Sequence, residues 1–156
     1  MRIDTGGQRN EKPLTHIQLR DAIEYAEYLG MPKSNILYRD YLPTGYVPSE
    51  DGLIVGTDVY PIRDPISENG KLSFRAAIAH EIVGHREACL HGWTQPKGRL
   101  LSGTIMEDVQ ASIRATRFAP GLSNSERIQL IKDAIERLPE GVSIRNIRNE
   151  LNIALR

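Results

Sequence analysis

The sequence predicts an α+β domain in which short strands precede a helix-rich C-terminal half. An amphipathic helix pattern covers residues 14–29 and opens with a capping box between Thr15 and Gln18. Two runs rich in Ile, Leu, Val and Tyr follow at residues 35–39 and 53–60, and both are typical of β-strands. Helical patterns then dominate the remainder of the chain, so strands and later helices occupy separate parts of the sequence.

Four further helices are predicted after the strands, each opened by a residue whose hydroxyl can cap the first turn: Ser73, Thr104, Ser123 and Ser143. The helix from Ser73 runs to about Leu90, and a loop containing glycine and proline follows over residues 92–103. Pro120 and Pro139 end the second and third of these helices, because proline cannot continue a helix. The third carries an apolar set at helical spacing: Ile128, Ile131, Ile135 and Leu138.

The 156 residues suffice for one domain, which we expect over residues 13–156, behind a polar, flexible lead of residues 1–12. Lys+Arg and Asp+Glu number 20 each, and the zero net charge argues against broad electrostatic binding to nucleic acid or to a membrane. No apolar run reaches the length of a membrane span, and the lead contains no signal-peptide core. We therefore expect a cytoplasmic protein, or one exported as part of a larger chain.

A metal-binding pattern lies in the helix predicted from Ser73. Residues 80–85 read His-Glu-Ile-Val-Gly-His, which gives two imidazoles with a carboxylate beside the first. In hydrolytic zinc sites, imidazoles hold the metal and a neighbouring carboxylate takes a proton from metal-bound water. His80 and His85 are therefore the predicted zinc ligands, and Glu81 is the predicted general base.

The two histidines are one residue further apart than in the usual H-E-x-x-H form. At about 100° per residue, five steps along a regular α-helix leave two rings roughly 140° apart, whereas four steps leave them about 40° apart. A single turn with i→i+5 hydrogen bonds would realign the rings, so we predict a π-type widening at this point. Gly84 lies inside the insertion, where a residue without a Cβ most easily tolerates a distorted backbone.

A catalytic zinc usually has a third protein ligand, and the first place that can supply it is the Glu107–Asp108 pair. The pair lies in the first turn of the helix predicted from Thr104, which could fold back against the motif. Glu107 already has a local role as the capping partner of Thr104, so Asp108 is the preferred ligand and Glu107 the alternative. Ser112 lies on the same helix face as Asp108, and its hydroxyl could orient a ligand from outside the coordination shell.

The second place is His91, six residues after His85. This is the spacing of the third histidine in the metzincin pattern, and Met106 would then correspond to the Met-turn of that group. Against this, Ala88 replaces the glycine with which the metzincin pattern breaks its helix. The alternative for His91 is a cap at the C-terminus of the motif's helix, where a partial positive charge is favoured.

Two short segments resemble the dipeptidyl peptidase III family of metallopeptidases. Residues 80–85 are similar to that family's H-E-x-x-G-H motif, which carries the same insertion. Residues 107–111, Glu-Asp-Val-Gln-Ala, are similar to its second motif, in which a Glu-Glu pair is followed by two residues and an alanine. The resemblance implies a zincin-like fold and places Asp108 where the family has its glutamate ligand. Aspartate is one methylene shorter, so the second helix would have to approach more closely.

A second resemblance concerns biological context. Residues 80–88 together with residues 108–118 resemble C-terminal toxin domains of bacterial polymorphic toxins, including Rhs-type effectors. Such domains are cut from large exported proteins and act inside rival cells. This resemblance implies an effector that needs no signal peptide of its own and that has a cognate immunity protein as a candidate partner.

The motif and the acid pair together predict a zinc metallopeptidase that acts on a protein or peptide substrate. One strand from residues 53–60 is expected to line the cleft and to bind the substrate as an added strand. Two alternatives stay open. The helices could form a non-enzymatic protein-binding module in which residues 80–85 are an ordinary helix segment, or the zinc could serve hydrolysis of another kind, such as deamidation.

Overall fold

The computed structural model describes residues 8–92 and 103–147 of the chain. Within these residues a three-stranded sheet precedes the helix that carries the motif, and helices make up the C-terminal half, which confirms the predicted α+β order. No helix in these two ranges has the length and apolar character of a membrane span. The elements before the motif are α1 (His16–Tyr28), β1 (Ile36–Tyr38), β2 (Gly45–Val47) and β3 (Gly52–Val55).

The motif helix, defined as residues 74–90, is continuous but not uniform. It consists of α2 (Phe74–Ala79), a π-helical segment (His80–Arg86) and α3 (Glu87–Leu90). The predicted π-type widening is therefore confirmed, and at its end the backbone N–H of Glu87 donates to the carbonyl of Ile82, five residues earlier. The helices that follow in the described ranges are α4 (Gly103–Phe118), α5 (Asn124–Arg137) and α6 (Ile144–Ile147).

Hydroxyl caps begin several helices as predicted. Thr15 forms a complete capping box with Gln18, and Ser123 forms one with Glu126. Ser73 accepts a hydrogen bond from the first turn of α2. These reciprocal bonds satisfy backbone N–H groups that a helix leaves without internal partners.

The predicted start of α4 requires correction. This helix already includes Gly103, so Thr104 lies within it and is not its cap. Of the loop predicted over residues 92–103, residues 93–102 lie outside the described part of the chain. The predicted ends are correct, since α4 stops at Phe118, before Pro120, and α5 stops before Pro139.

The sheet has the order β1-β3-β2, with β1 parallel and β2 antiparallel to β3. The strand predicted over residues 53–60 ends at Val55, and Thr57–Val59 forms a 3₁₀ turn instead. Because β3 is paired on both sides, it cannot accept a substrate as an added strand, and that expectation was wrong. Strand β2 is an edge strand and lies beside the motif helix, where the backbone N–H of Tyr46 donates to Glu81.

Arg9 attaches the start of the described chain to the domain. Its side chain is buried and donates to five backbone carbonyls: Asp58, Val59, Asn69, Gly70 and Leu72. The backbone N–H of Asn10 donates to the carbonyl of Tyr60. Arg9 and Asn10 thus belong to the folded domain, whereas the lead was predicted to extend through residue 12; residues 1–7 lie outside the described residues.

Helix α5 buries only part of the apolar set that its sequence suggested, since Ile131 and Leu138 pack in the core and Ile128 and Ile135 do not. Ile128 and Ile135 are 57% and 53% exposed. The buried positions are Leu130, Asp133 and Ala134. The face turned toward α4 therefore includes a carboxylate.

Among the residues whose burial is described, two groups of buried side chains hold the helices together. The larger joins α1, the sheet and α2 with the C-terminal part of α4. The smaller lies between α4 and α5 and contains Met106, Val109, Ile113, Ala134 and Leu138. Met106 is thus a helical core residue, so the Met-turn interpretation was wrong.

Gly84 brings α4 against the π-helical segment. A Cβ built on Gly84 would lie 2.6–2.8 Å from the O, Cβ and Cα atoms of Ala111, which is closer than real Cβ contacts allow. The φ angle of Gly84 is not positive, so the backbone conformation at this position does not require a glycine. Gly84 serves close packing instead. Arg114, also on α4, donates from Nε to the carbonyl of Gly84 at 3.0 Å.

Gly84→Ala is expected to lower the free energy of unfolding by about 1–3 kcal/mol, because the added methyl group would push α4 away from the motif helix. The better helix propensity of alanine, worth about 1 kcal/mol, offsets only part of this overpacking. Urea denaturation measures the change. Gly45→Ala is the matched control, since a Cβ at Gly45 meets no atom within 4 Å. If both variants were equally stable, the close contact would be refuted.

Candidate metal centre

The π-helical segment and α4 bring three side chains to one point. The Nε2 atoms of His80 and His85 lie 3.1 Å apart. Oδ1 of Asp108 lies 3.5 Å from Nε2 of His80 and 3.2 Å from Nε2 of His85. Within residues 8–92 and 103–147, these three residues form a cluster that could hold a metal ion.

The separations within this cluster match the requirements of a small metal ion. Bonds of about 2.0–2.1 Å from a tetrahedral zinc place any two ligand atoms about 3.3 Å apart. The observed separations are 3.1, 3.2 and 3.5 Å. One atom from each residue could therefore bind the same ion, and the shorter reach of aspartate is met by the close approach of α4 at Gly84.

His80 is held from behind by α4 and α5. Its ring is 2% exposed, and its Nδ1 lies 2.8 Å from Oγ of Ser112. Ser112 donates in turn to Oδ2 of Asp133 at 2.7 Å. Ser112 was predicted to orient a ligand from the face of Asp108, and the structure places its hydroxyl against His80.

His85 and the acid pair occupy defined positions relative to one another. Nδ1 of His85 lies 3.6 Å from Oε1 of Glu107, while its Nε2 faces Asp108. Glu107 is 50% exposed at its side chain, compared with 32% for Asp108. Glu107 therefore contacts the outer nitrogen of His85, and Asp108 is the acid that faces both Nε2 atoms.

Burial and the acid pair set the protonation of the two imidazoles. Burial lowers the pKa of His80, because the charged ring would lose its hydration. Burial acts on His85 in the same direction, but hydrogen bonding to Asp108 and Glu107 outweighs it and raises the pKa of His85 to about 10. Burial would raise the pKa of Asp108, yet the two histidines and Arg137 hold it well below its usual range. A divalent cation would replace the proton that His85 carries.

Glu81 points toward the sheet. Its Oε2 accepts a hydrogen bond from the backbone N–H of Tyr46 in β2 at 3.1 Å. Its charge also acts on both histidines, where it favours the protonated forms. The predicted general base thus lies between the ligand cluster and the edge strand.

The β2–β3 turn is attached to the motif helix on the same side. Asp51, in a left-handed conformation with φ 45°, accepts hydrogen bonds from Nε and Nη2 of Arg86 at 2.8 and 3.1 Å. The phenol of Tyr46 donates to the same carboxylate at 2.8 Å. The bidentate contact between Asp51 and Arg86 fixes the position of β2 relative to Glu81.

His91 does not belong to the cluster found among the described residues. It is the C-terminal cap residue of α3. Its ring is exposed, and the Nδ1 atom of that ring lies 2.7 Å from the carbonyl oxygen of Glu87. The helix continues through Ala88 without the break that would return His91 to the site. The capping interpretation is confirmed.

Two contributors to the centre were absent from the sequence-based prediction, namely Asp133 and Arg137 on α5. Arg137 donates from Nε to Oδ2 of Asp133 at 2.9 Å and lies with Nη1 3.4 Å from Oδ2 of Asp108. The only sequence signal was a carboxylate three residues after Leu130, on a face that the neighbouring isoleucines obscured.

Comparison with known proteins finds no matching family model, no matching curated protein and no matching solved structure. The resemblances to dipeptidyl peptidase III and to polymorphic toxin domains therefore stay predictions. The same is true of the toxin role, the immunity partner and the cellular location.

The ligand set can be tested by titrating the protein with Zn²⁺ and measuring affinity by competition with a chelating dye. Ala substitutions of His80, His85 and Asp108 should each weaken binding by more than the about 10–100-fold typical of an outer-shell partner. Glu107→Ala should stay within that range because Glu107 contacts only the outer nitrogen of His85. His91→Ala is the control and should bind normally. Loss of binding in Glu107→Ala but not in Asp108→Ala would overturn the assignment of the third ligand.

Proposed function

We propose that this chain is a zinc-dependent metallopeptidase with a zincin-like arrangement of sheet and motif helix. His80, His85 and Asp108 hold the metal, and Glu81 is the general base. The observation that carries the proposal is that the π-helical segment directs two Nε2 atoms toward a common point, where an Asp108 oxygen from α4 meets them.

The donor set supports zinc. Two imidazoles and one carboxylate are a usual protein set for catalytic zinc, which keeps a further position open for water or substrate. The same donors also serve Fe(II) in oxygenases. The carboxylate of Glu81, adjacent to His80 in the chain, favours hydrolysis, because metal-assisted hydrolysis needs a base that takes a proton from water.

The reaction assigned to Glu81 is the hydrolysis of an amide. Bound zinc would polarise the substrate carbonyl and acidify a water molecule. Glu81 takes a proton from the attacking water as its oxygen bonds to the carbonyl carbon. Glu81 then passes that proton to the nitrogen as the C–N bond breaks, so a carboxylate and an amine leave the site.

Strand β2 is the candidate binding edge for an extended substrate. Since the N–H of Tyr46 is directed at Glu81, it points away from β3. The N–H and C=O of one strand residue point to the same side, so the carbonyl of Tyr46 also lies on this outer edge. A peptide added along β2 would run past Glu81, which supports a protein or peptide as the substrate.

The burial of His80 and of Asp133 behind it supports an enzyme over a non-enzymatic binding module. His80 and Asp133 are almost completely removed from water, and a helix that served only as a packing surface would gain more from apolar residues there. A hydrolase of another class, such as a deamidase, would use the same centre and differ in its substrate.

Glu81→Gln is expected to retain zinc affinity and to lose peptide hydrolysis by at least about 100-fold, because glutamine cannot accept the proton. A library of fluorescence-quenched peptides measures hydrolysis, and dye competition measures zinc. Glu24→Gln, an exposed exchange on α1, is the matched control and should behave as the parent protein.

Full peptidase activity in Glu81→Gln would refute the role of this residue. A parent protein that binds zinc but cleaves no peptide would refute the peptidase assignment and leave the metal centre intact. The same library design with amide side chains as substrates would then test deamidation.

A further inference from the structure

We propose that Asp133 is a positioning residue of the metal centre, which acts through Ser112 to hold His80 in the tautomer whose Nε2 can bind a metal. Asp133 lies on α5, and none of the hydrogen bonds that the structure describes joins it to one of the three candidate ligands. The inference rests on the metal site of the proposed function, but not on the reaction performed there.

Asp133 is a fully buried carboxylate with several donors around it. Its exposed fraction is 0%. Oδ2 accepts from Oγ of Ser112 at 2.7 Å and from Nε of Arg137 at 2.9 Å, and Oδ1 accepts from Nδ2 of Asn69 at 3.1 Å. Such a set stabilises the ionised carboxylate, which can only accept hydrogen bonds.

The accepting carboxylate fixes the direction of the next hydrogen bond. Ser112 has a single hydroxyl proton, and this proton is directed at Asp133. The 2.8 Å contact between Ser112 Oγ and His80 Nδ1 therefore requires that Nδ1 carry the proton and donate it to the serine. In a neutral imidazole with a proton on Nδ1, the lone pair lies on Nε2.

The opposite tautomer would block the site. If Ser112 were free to donate to Nδ1, the neutral ring would carry its proton on Nε2. That proton would lie where His85 Nε2 and Asp108 Oδ1 converge, 3.1 and 3.5 Å from the same atom. Asp133 prevents this arrangement because it accepts the hydrogen bond from the Ser112 hydroxyl, so that this proton is not available to Nδ1 of His80.

Arg137 links this chain of hydrogen bonds to the third ligand. Its guanidinium contacts Oδ2 of Asp133 and Oδ2 of Asp108, whereas Oδ1 of Asp108 faces the histidines. One side chain on α5 thus supports the charge of Asp133 and holds the outer oxygen of Asp108. Helix α5 in this way orients ligands from both the motif helix and α4.

The test is a double-mutant cycle on zinc affinity with Ser112→Ala and Asp133→Ala. Each single variant should weaken zinc binding by about 10–100-fold, the usual effect of losing an outer-shell partner. The double variant should bind zinc with the same affinity as the single variant that binds it less tightly, because both changes break the same chain of hydrogen bonds. Asp133→Asn, which keeps one acceptor oxygen, should recover part of the affinity.

Ser67→Ala is the matched control. Ser67 is also buried, at 3% exposed, and its hydroxyl accepts from the N–H of Gly70 at 2.8 Å. This variant should lose stability but bind zinc as the parent protein does. A change in zinc affinity that merely follows stability would appear in all three Ala variants.

The His80 tautomer itself is a readout that requires neither metal nor activity. Nitrogen-15 NMR of the metal-free parent protein should show the proton of His80 on Nδ1, and Ser112→Ala should reduce that preference. Ser112→Ala removes one atom and leaves Asp133 with Arg137 and Asn69, so it tests the link to His80 even if Asp133→Ala fails to fold. Asp133→Asn then tests the carboxylate itself, and it should also reduce the preference for Nδ1; an unchanged tautomer in Asp133→Asn would contradict the role of Asp133.

Additive losses in the cycle, or Ser112→Ala with unchanged zinc affinity and tautomer, would overturn the positioning role. These outcomes are separate from those that test the proposed function. A protein that binds zinc without cleaving peptides would refute the peptidase assignment while the cycle still measured Asp133. A parent protein that binds no zinc would refute the metal centre and the positioning role together.

Discussion

The contact between Gly84 and Ala111 is the constraint on which the candidate centre depends. The histidines lie on one side of this contact and Asp108 on the other, three residues before Ala111 on α4. A carboxylate as short as that of aspartate reaches the imidazoles only if the two backbones nearly touch. A side chain at position 84 would prevent this, so the glycine in the motif serves the approach of α4.

The π-helical segment and this contact solve separate geometric problems. The wider turn brings His80 and His85 to the same side of the motif helix, although five residues separate them. The contact at Gly84 then supplies the third donor from a different helix. Arg114, buried on α4, donates to the carbonyl of Gly84, and therefore the helix that provides Asp108 also stabilises the irregular backbone.

The extent to which the centre could be predicted follows from how local each signal is. The histidine spacing implies a widened turn because both rings belong to one helix, and a local rule relates their directions. Asp108 was preferred over Glu107 for a capping bond that Thr104 does not form, since Thr104 lies inside α4. The choice agrees with the geometry, but the reason given for it does not.

The remaining parts of the centre depend on long-range packing, which no local pattern encodes. Strand β2 is three residues long in a turn-rich segment, and only its pairing with β3 makes it a strand. Asp133 was not singled out from the sequence, because apolar spacing alone does not tell which face of α5 meets α4. Arg9 gave no sign of the five carbonyls that it would bind from distant parts of the chain.

Charge balance connects these parts and argues for a divalent ion. Glu81, Glu107, Asp108 and Asp133 contribute four negative charges around the centre, and Arg114 and Arg137 contribute two positive charges. With both imidazoles neutral, as coordination requires, a divalent cation would neutralise the remainder. A proton on His85 compensates only half of this remaining negative charge. A divalent cation at the point where the Nε2 atoms and Asp108 converge, as in the proposed centre, would therefore balance the charge of the network more completely than a single proton does.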